Sequence, residues 1–248
     1  MLYSKPRSCD VLVEHGRATQ AALPRRFTVC VWNWQKSKQK EWAAEFSRLS
    51  QAADLFLAQE VRRSPAVKEV MEKTAFHWNG AVSFFSLKGK NPIGVATGCI
   101  AKPLQVSFAA TSREPVFRIP KMTLATLIPI QNTKRPLLVV NLHAINFTGI
   151  RAFEKNLRGA AEILLDYNGP ILLGGDFNSW NHKRLRLLHC IIRSAGLQEV
   201  SCEPDLRSRW MGKPLDYLFV RGLKVLASGV RVTRGSDHNP LLARLEIR

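Results

Sequence analysis

The sequence predicts an α/β chain built as two sheets with helices outside them, and three features carry that expectation. Short β-rich runs alternate with amphipathic helices up to about residue 73. Residues 75–142 are dense in β-branched and aromatic clusters separated by Gly, Pro and Asn, and helix–strand alternation resumes from residue 151.

Residues 1–26 are polar and broken by Pro6 and Pro24, so they read as an arm or edge segment ahead of one domain spanning 27–248. Residues 27–33 are an apolar strand that runs into Asn33. Residues 38–50 place Trp42, Phe46 and Leu49 at helical spacing, and 54–59 form a second strand. Pro65 suits the first turn of a helix that reaches about Lys73. Five short runs then read as antiparallel strands: 81–85, 94–101, 116–119, 122–130 and 136–142. The clearest helix is 151–167, where Phe153, Leu157, Ala160, Ala161, Leu164 and Leu165 share one stripe, and Asn168-Gly169-Pro170 ends it. Residues 171–173 are a buried strand, 183–195 a basic helix with Leu185, Leu188 and Ile192 inward, and 215–220 and 241–247 closing strands. No repeat or linker divides the chain.

Charge narrows the function. With 37 Lys and Arg against 19 Asp and Glu, the 248-residue chain carries a formal charge of +18. Such a field draws polyanions, nucleic acid first and anionic membrane surface second. No apolar run approaches the ~18 residues that a membrane span needs, so no span is expected. The first 25 residues are interrupted by charges and lack the apolar stretch of a secretory leader, and a cytoplasmic address is expected. The five cysteines are widely spaced without a C-x-x-C pair, which suits small buried thiols in a reducing compartment and not zinc.

Polar residues at the ends of apolar strands are the anomaly that needs a chemical explanation. They occur at Asn33, at Gln59-Glu60, at His143, at Gly174-Gly175-Asp176-Phe177-Asn178, and at Ser236-Asp237-His238 before the last strand. Any one of these suits a solvated turn or a satisfied histidine. Taken together, Glu60, Asp176 and Asp237 with the amides of Asn33 and Asn178 make a hard-oxygen set suited to Mg²⁺ or Mn²⁺. His143 and His238 add donors for an anionic oxygen, and Asp216 is a natural partner for an imidazole. The combination fits phosphoester hydrolysis.

The motifs Trp32-Asn33, Gln59-Glu60, Asn141-Leu142-His143, Gly175-Asp176-Phe177-Asn178, Leu215-Asp216-Tyr217 and Ser236-Asp237-His238 resemble, in order, those of the endonuclease/exonuclease/phosphatase superfamily with its DNase I-like fold. The runs from Val140 to Phe147 and from Gly212 to Tyr217 are similar to its small bacterial YafD-like branch. The resemblance implies a four-layer α/β/β/α sandwich with the site at one end of two mostly antiparallel sheets. It implies Glu60 as the principal metal ligand with Asn33 nearby, and Asp237 binding metal or supporting its water. It further implies Asp176 as the group that positions or deprotonates water, Asn178 orienting the phosphate, His143 and His238 stabilising the transition state, and Asp216 orienting His238. Gln35 and Lys213 depart from patterns of the superfamily. Together with His143, where abasic-site endonucleases usually carry Tyr, Lys213 argues against a dedicated abasic-site enzyme.

The expected activity is therefore a divalent-metal-dependent phosphodiesterase, a nuclease with DNA as the favoured partner, acting as a monomer. Lys183, Arg184 and Arg186 after the Asp176 turn, and Arg207, Arg209 and Lys213 before Asp216, are expected to track a phosphate backbone, with Trp180 and Trp210 placed to stack on exposed bases. Two alternatives stand beside this expectation. One is a lipid or small-molecule phosphoesterase, for which Phe84-Phe85 is the candidate membrane-inserting pair although it reads better as core. The other is a nucleic-acid-binding protein with a silent site.

Overall fold

The computed structural model of the protein describes residues 3–86, 90–114 and 119–248. Strands β1 (Tyr3–Ser4) and β2 (Leu12–Gly16) precede β3 (Arg26–Asn33), α1 (Trp42–Ala52), β4 (Leu55–Arg62) and α2 (Pro65–Glu72). Next come β5 (His77–Ser86), β6 (Pro92–Cys99), β7 (Gln105–Arg113), β8 (Pro120–Ile128) and β9 (Leu137–His143). They are followed by α3 (Ile150–Leu165), β10 (Ile171–Asp176), α4 (His182–Ser194) and β11 (Gln198–Glu199). A small hairpin of β12 (Arg209–Trp210) and β13 (Lys213–Pro214) leads into β14 (Asp216–Arg221), β15 (Leu223–Val230) and β16 (Leu241–Ile247).

One sheet runs β1-β5-β6-β4-β3-β16-β15 with β2 also on β5, and the other runs β11-β14-β10-β9-β8-β7. Among the described residues these two sheets are antiparallel except for β3 with β4 and β9 with β10. Those are the pairs joined through a helix, α1 and α3, as a parallel connection requires.

Side-chain alternation sorts the core into layers. Val29 and Val31 of β3, Leu55 and Leu57 of β4, Leu137 and Val139 of β9, Leu172 of β10 and Leu218 and Val220 of β14 meet between the sheets. The opposite face of the first sheet, with Cys30, Trp32 and Phe56, packs on Trp42, Phe46 and Leu49 of α1 and Val67 and Met71 of α2. The opposite face of the second sheet, with Leu138, Val140 and Phe219, packs on Phe153, Leu157 and Leu164 of α3 and Leu188 and Ile192 of α4. The result is the expected α/β/β/α sandwich. Local signals start the helices: Ser64 accepts from Val67 N at 3.3 Å to cap α2, and Asn181 accepts from Arg184 N at 2.9 Å to cap α4.

The structure differs from the sequence expectation at the edges. The N-terminal segment is woven in, because β2 pairs with β5 (Leu12 opposite Ala81) and Leu23 is fully buried between the sheets. Strands β7 and β15 were not anticipated. Both end a sheet, and β15 offers little buried face from which a period could be read. The strand expected at 116–119 lies, but for Ile119, outside the described residues, and Ile119 sits just ahead of β8.

Gly174 sets how closely the layers approach, and Gly175 how closely β10 lies on β9 of its own sheet. A Cβ on Gly174 would sit 3.1 Å from both Leu57 Cδ2 and Val31 Cγ2 of the facing sheet. Gly175 has φ +149°, and a Cβ there would lie 1.8 Å from the Leu142 carbonyl oxygen. Gly175→Ala is expected to destabilise the fold by at least ~2 kcal/mol. By contrast Gly149→Ala, at an open helix N-cap with nothing within 4 Å, should cost under about 1 kcal/mol, both variants being measured by urea unfolding.

Candidate active site

The inward-facing series that builds the core changes character at one end of the sandwich. On β3 it passes from Val29 and Val31 to Asn33, on β9 from Val139 through Asn141 to His143, on β10 from Leu172 to Asp176, and β14 begins at Asp216. Register makes these ends coincide: Asp176 is paired with His143 on one side and with Asp216 on the other. Glu60 arrives differently. The β4–β6 register shifts between Ala58 and Val61, and Glu60 takes φ +50°, so a bulge turns its side chain toward the site. Asp237 and His238 come from the loop before β16, which is fastened by Ser236 Oγ donating to Asn33 O at 2.7 Å and Trp32 Nε1 donating to His238 O at 2.8 Å.

These groups line one cleft of about 640 Å³, walled by Asn33, Glu60, His143, Asp176, Asp237 and His238 among others. A smaller recess of about 120 Å³ shares Glu60 and His143 and continues between Phe84, Ile93, Pro120 and Met122. Phe84 and Phe85 are half-buried.

The polar network is continuous. Asn33 Nδ2 donates to Asp176 Oδ2 at 3.0 Å, and Asn178 N donates to Asp176 Oδ1 at 3.0 Å. His143 Nε2 lies 3.5 Å from Asp176 Oδ2 and 4.0 Å from Glu60 Oε1. Asp216 Oδ2 is 2.7 Å from His238 Nδ1. Gln35 spans two ligand candidates, its backbone N donating to Asn33 Oδ1 at 3.0 Å and its Nε2 to Asp237 Oδ2 at 2.8 Å.

Two lysines that sequence reasoning missed complete the electrostatics. Lys36 Nζ is 3.2 Å from Glu60 Oε2, and Lys121 Nζ is 3.1 Å from His143 Nε2 and 3.0 Å from Glu114 Oε1. No local signal marks Lys121, which reads as an ordinary strand start; β8 pairs with β9 as far as Thr123 opposite Leu142, and Lys121 lies just beyond that pair, in contact with His143. The two histidines therefore differ. Burial, with Lys121 adding to it, pushes His143 down to about 4, so it is neutral at pH 7. An ammonium only donates, so Nε2 of His143 is the acceptor and its proton sits on Nδ1. His238 goes the other way: burial opposes its charge, but Asp216, and then Asp176 and Asp237, raise it to about 10. Burial also lifts the Asp176 carboxyl above the ordinary carboxylate range. Burial works to raise Glu60 as well, yet the charge of protonated His143, then Lys36 and Lys121, brings it down to about 2. With His143 neutral, the cations left at pH 7 are Lys36 and Lys121.

The donor set bears on a metal. No group of three or more His, Cys, Asp or Glu side chains that could hold an ion occurs among the described residues. Mg²⁺ does not need such a cage, since it keeps several waters and takes one or two carboxylates. Glu60, ionised at the cleft wall with the ammonium of Lys36 beside it, fits that mode, and Asn33 and Asp237 are the further oxygen donors within the same network.

The six basic residues expected to bind substrate are scattered. Arg209 lines the cleft. Lys183 and Arg186 are exposed on α4, and Lys213 is half-buried in the β12–β13 hairpin. Arg184 and Arg207 are corrections. Arg184 is 1% exposed and donates to Ile145 O, Asn178 O, Thr148 O and Thr148 Oγ1, with its guanidinium 4.4 Å from the Phe153 ring. It lies on the helix face that packs inward, so it is a strut and not a phosphate contact. Arg207 is likewise consumed, bonded to Asp205 and Glu199 and stacked 4.6 Å over Tyr217.

Known proteins resemble this chain along nearly its whole length. The profile of the endonuclease/exonuclease/phosphatase family matches residues 32–238. A UPF0294 protein of Yersinia pseudotuberculosis is 37% identical over 219 residues, covering 88% of this chain and 83% of the relative. An endonuclease/exonuclease/phosphatase structure from Beutenbergia cavernae superposes with a TM-score of 0.71 at 15% identity, over 90% of this chain and 72% of the other. The human Nocturnin catalytic domain with bound sulfate anion superposes at 0.70 and 16% identity, over 92% and 97%.

Asp216→Asn is expected to lower the His238 pKa by more than a unit, read by NMR titration in EDTA. A raised folded-state pKa stabilises the protein fully below the unfolded value of 6.5 and loses that contribution as pH rises through about 10. The variant should therefore flatten the decline of stability between those limits. Arg184→Met should cost about 3 kcal/mol in urea unfolding because it strands buried carbonyls. Lys183→Glu and Arg186→Glu, at exposed positions, should stay within about 0.5 kcal/mol.

Proposed function

Because the chain belongs to the endonuclease/exonuclease/phosphatase family, whose members are phosphoester hydrolases, we propose that it is a divalent-metal-dependent nuclease that cuts phosphodiester bonds of nucleic acid, with DNA the favoured polymer. The observation that carries the reading is that an ionised Glu60, a buried Asp176 and a His238 paired with the buried Asp216 line one cleft. The formal charge of +18 and the cations Lys36, Lys38, Lys121 and Arg209 along that cleft favour a polyanion.

In this reading Glu60, with Asn33 and Asp237, holds the cation, which supplies charge neutralisation at the phosphate when bound. Asp176, its two oxygens fixed by Asn33 and Asn178, accepts the proton of the attacking water. His238, kept protonated by Asp216, donates to a phosphate oxygen through Nε2. His143 is neutral, so the positive charge on its side of the phosphate comes from Lys121, while His143 donates only through Nδ1–H or positions that ammonium. Asn178 has one amide hydrogen committed to Ala144 O at 3.0 Å and a second for a phosphate oxygen.

A second reading, a phosphoesterase for a small substrate, draws support from the 120 Å³ recess beside Glu60, whose Phe84, Ile93 and Met122 would receive a compact apolar group.

The deciding experiment incubates the protein with supercoiled plasmid, single-stranded DNA, RNA and p-nitrophenyl phosphodiesters, with Mg²⁺, Mn²⁺ or EDTA. Polymer cleavage that EDTA abolishes is expected, and Asp176→Ala, Glu60→Ala and His238→Ala should each lower turnover at least about a hundredfold with unchanged circular dichroism. Hydrolysis confined to small esters would replace the nuclease reading with the second one. A variant that keeps near wild-type turnover leaves the mechanism.

A further inference from the structure

Aromatic side chains stand at the mouth of the cleft, where surface residues are usually polar. Phe147 is 69% exposed and Trp210 53%, and Trp180 is half-buried. Ring centroids are 6.4 Å apart for Phe147 and Trp180 and 6.5 Å for Phe147 and Trp210, with interplanar angles of 38° and 80°. All three line the same cleft as Glu60, Asp176 and His238. They come from three separate connections, β9–α3, β10–α4 and the β12–β13 hairpin.

This lip is built, not incidental. Phe147 holds φ +47°, which is uncommon for a bulky residue. Asn146 Oδ1 accepts from both Phe147 N at 2.8 Å and Trp180 Nε1 at 2.9 Å, joining two of the connections. Beneath them the guanidinium of Arg184 sits 4.9 Å from the Trp180 ring and bonds to Ile145 O and Thr148 O on either side of Phe147. Buried charge thus holds water-exposed rings in place. Lys38 and Arg209 line the same cleft, Arg209 with one guanidinium nitrogen held by Asp205 at 2.6 Å and another by Gly212 O at 3.1 Å.

Flat apolar faces interleaved with cations suit a strand whose bases are unpaired, since a duplex keeps its base faces stacked inside. Resting on the nuclease reading, we infer that Phe147, Trp180 and Trp210 form a base-stacking platform beside the scissile phosphate, and that the enzyme takes its nucleic acid single-stranded. A membrane surface fits less well, because all three rings line the cleft that also holds Glu60, Asp176 and His238.

The test measures kcat/KM of the full-length protein with Mg²⁺ on an end-labelled single-stranded oligonucleotide, on its duplex, and on the same strand with one base at a time replaced by an abasic unit near the cleaved bond. Single strand should exceed duplex by about tenfold or more, and one abasic position should cost about tenfold. Phe147→Ala and Trp210→Ala should each lose about tenfold on the intact strand, with little additional loss on the strand lacking that base, while Trp210→Phe retains most activity. Equal rates on single strand and duplex, or losses that simply add to the abasic loss, would overturn the platform. So would a Trp210→Ala variant that cleaves strands normally but no longer binds vesicles of phosphatidylglycerol and phosphatidylethanolamine. Cleavage of no oligonucleotide with any divalent ion would overturn the nuclease reading itself, whereas cleavage without base dependence overturns the platform alone.

Discussion

One buried amide ties the two sheets together at the end where the site forms. Asn141 of β9 donates through Nδ2 to Ala58 O at 3.2 Å and Ala96 O at 2.9 Å of the facing sheet, and accepts from Gln59 Nε2 at 2.8 Å. A polar group with no exposure is tolerated only when it is hydrogen-bonded, and these partners exist in one relative position of the layers. Asn141 is two residues before His143, and Gln59 is next to Glu60. The same bonds that hold the sheets therefore set the distance between a neutral imidazole on one sheet and a carboxylate on the other.

From that spacing the electrostatics follow. Asp176 stands between His143 and the Asp216–His238 pair, and the environments drive the two histidines apart, one neutral beside an ammonium and one charged beside a carboxylate. Like residues acquire unlike charges because of burial and neighbours. Lys121 and His238 both line the cleft, and Glu60 is its strongly ionised carboxylate.

Two arginines of this protein serve its architecture. Arg184 and Arg207, which look like surface charges in a basic stretch, each satisfy several buried or half-buried oxygens and lie against aromatic rings. Much of the positive charge near the site is thereby taken out of contact with solvent. What Arg184 provides instead is a fixed rim, in which Asn146, Phe147 and Trp180 are held over the cleft.

The strand-end motifs were legible because each is a short contiguous run in which an apolar alternation stops at a polar residue. Period-2 alternation further assigns Asn33, His143 and Asp176 to the inward face once the strands are known. The layers were legible for the same reason, apart from edge strands such as β15 that bury little. The sequence could not show the contacts of Lys36 with Glu60 or Lys121 with His143, since each joins side chains whose proximity comes from strand pairing or a bulge. Nor could it tell a buried arginine from an exposed one on α4, because Arg184 and its exposed neighbours Lys183 and Arg186 differ only in which way one turn of helix faces. By itself the sequence determined which residue types end which strands, and so the chemistry on offer. The tertiary structure decided which charges meet, because electrostatic interaction depends on separation and burial, and both are properties of the packed layers.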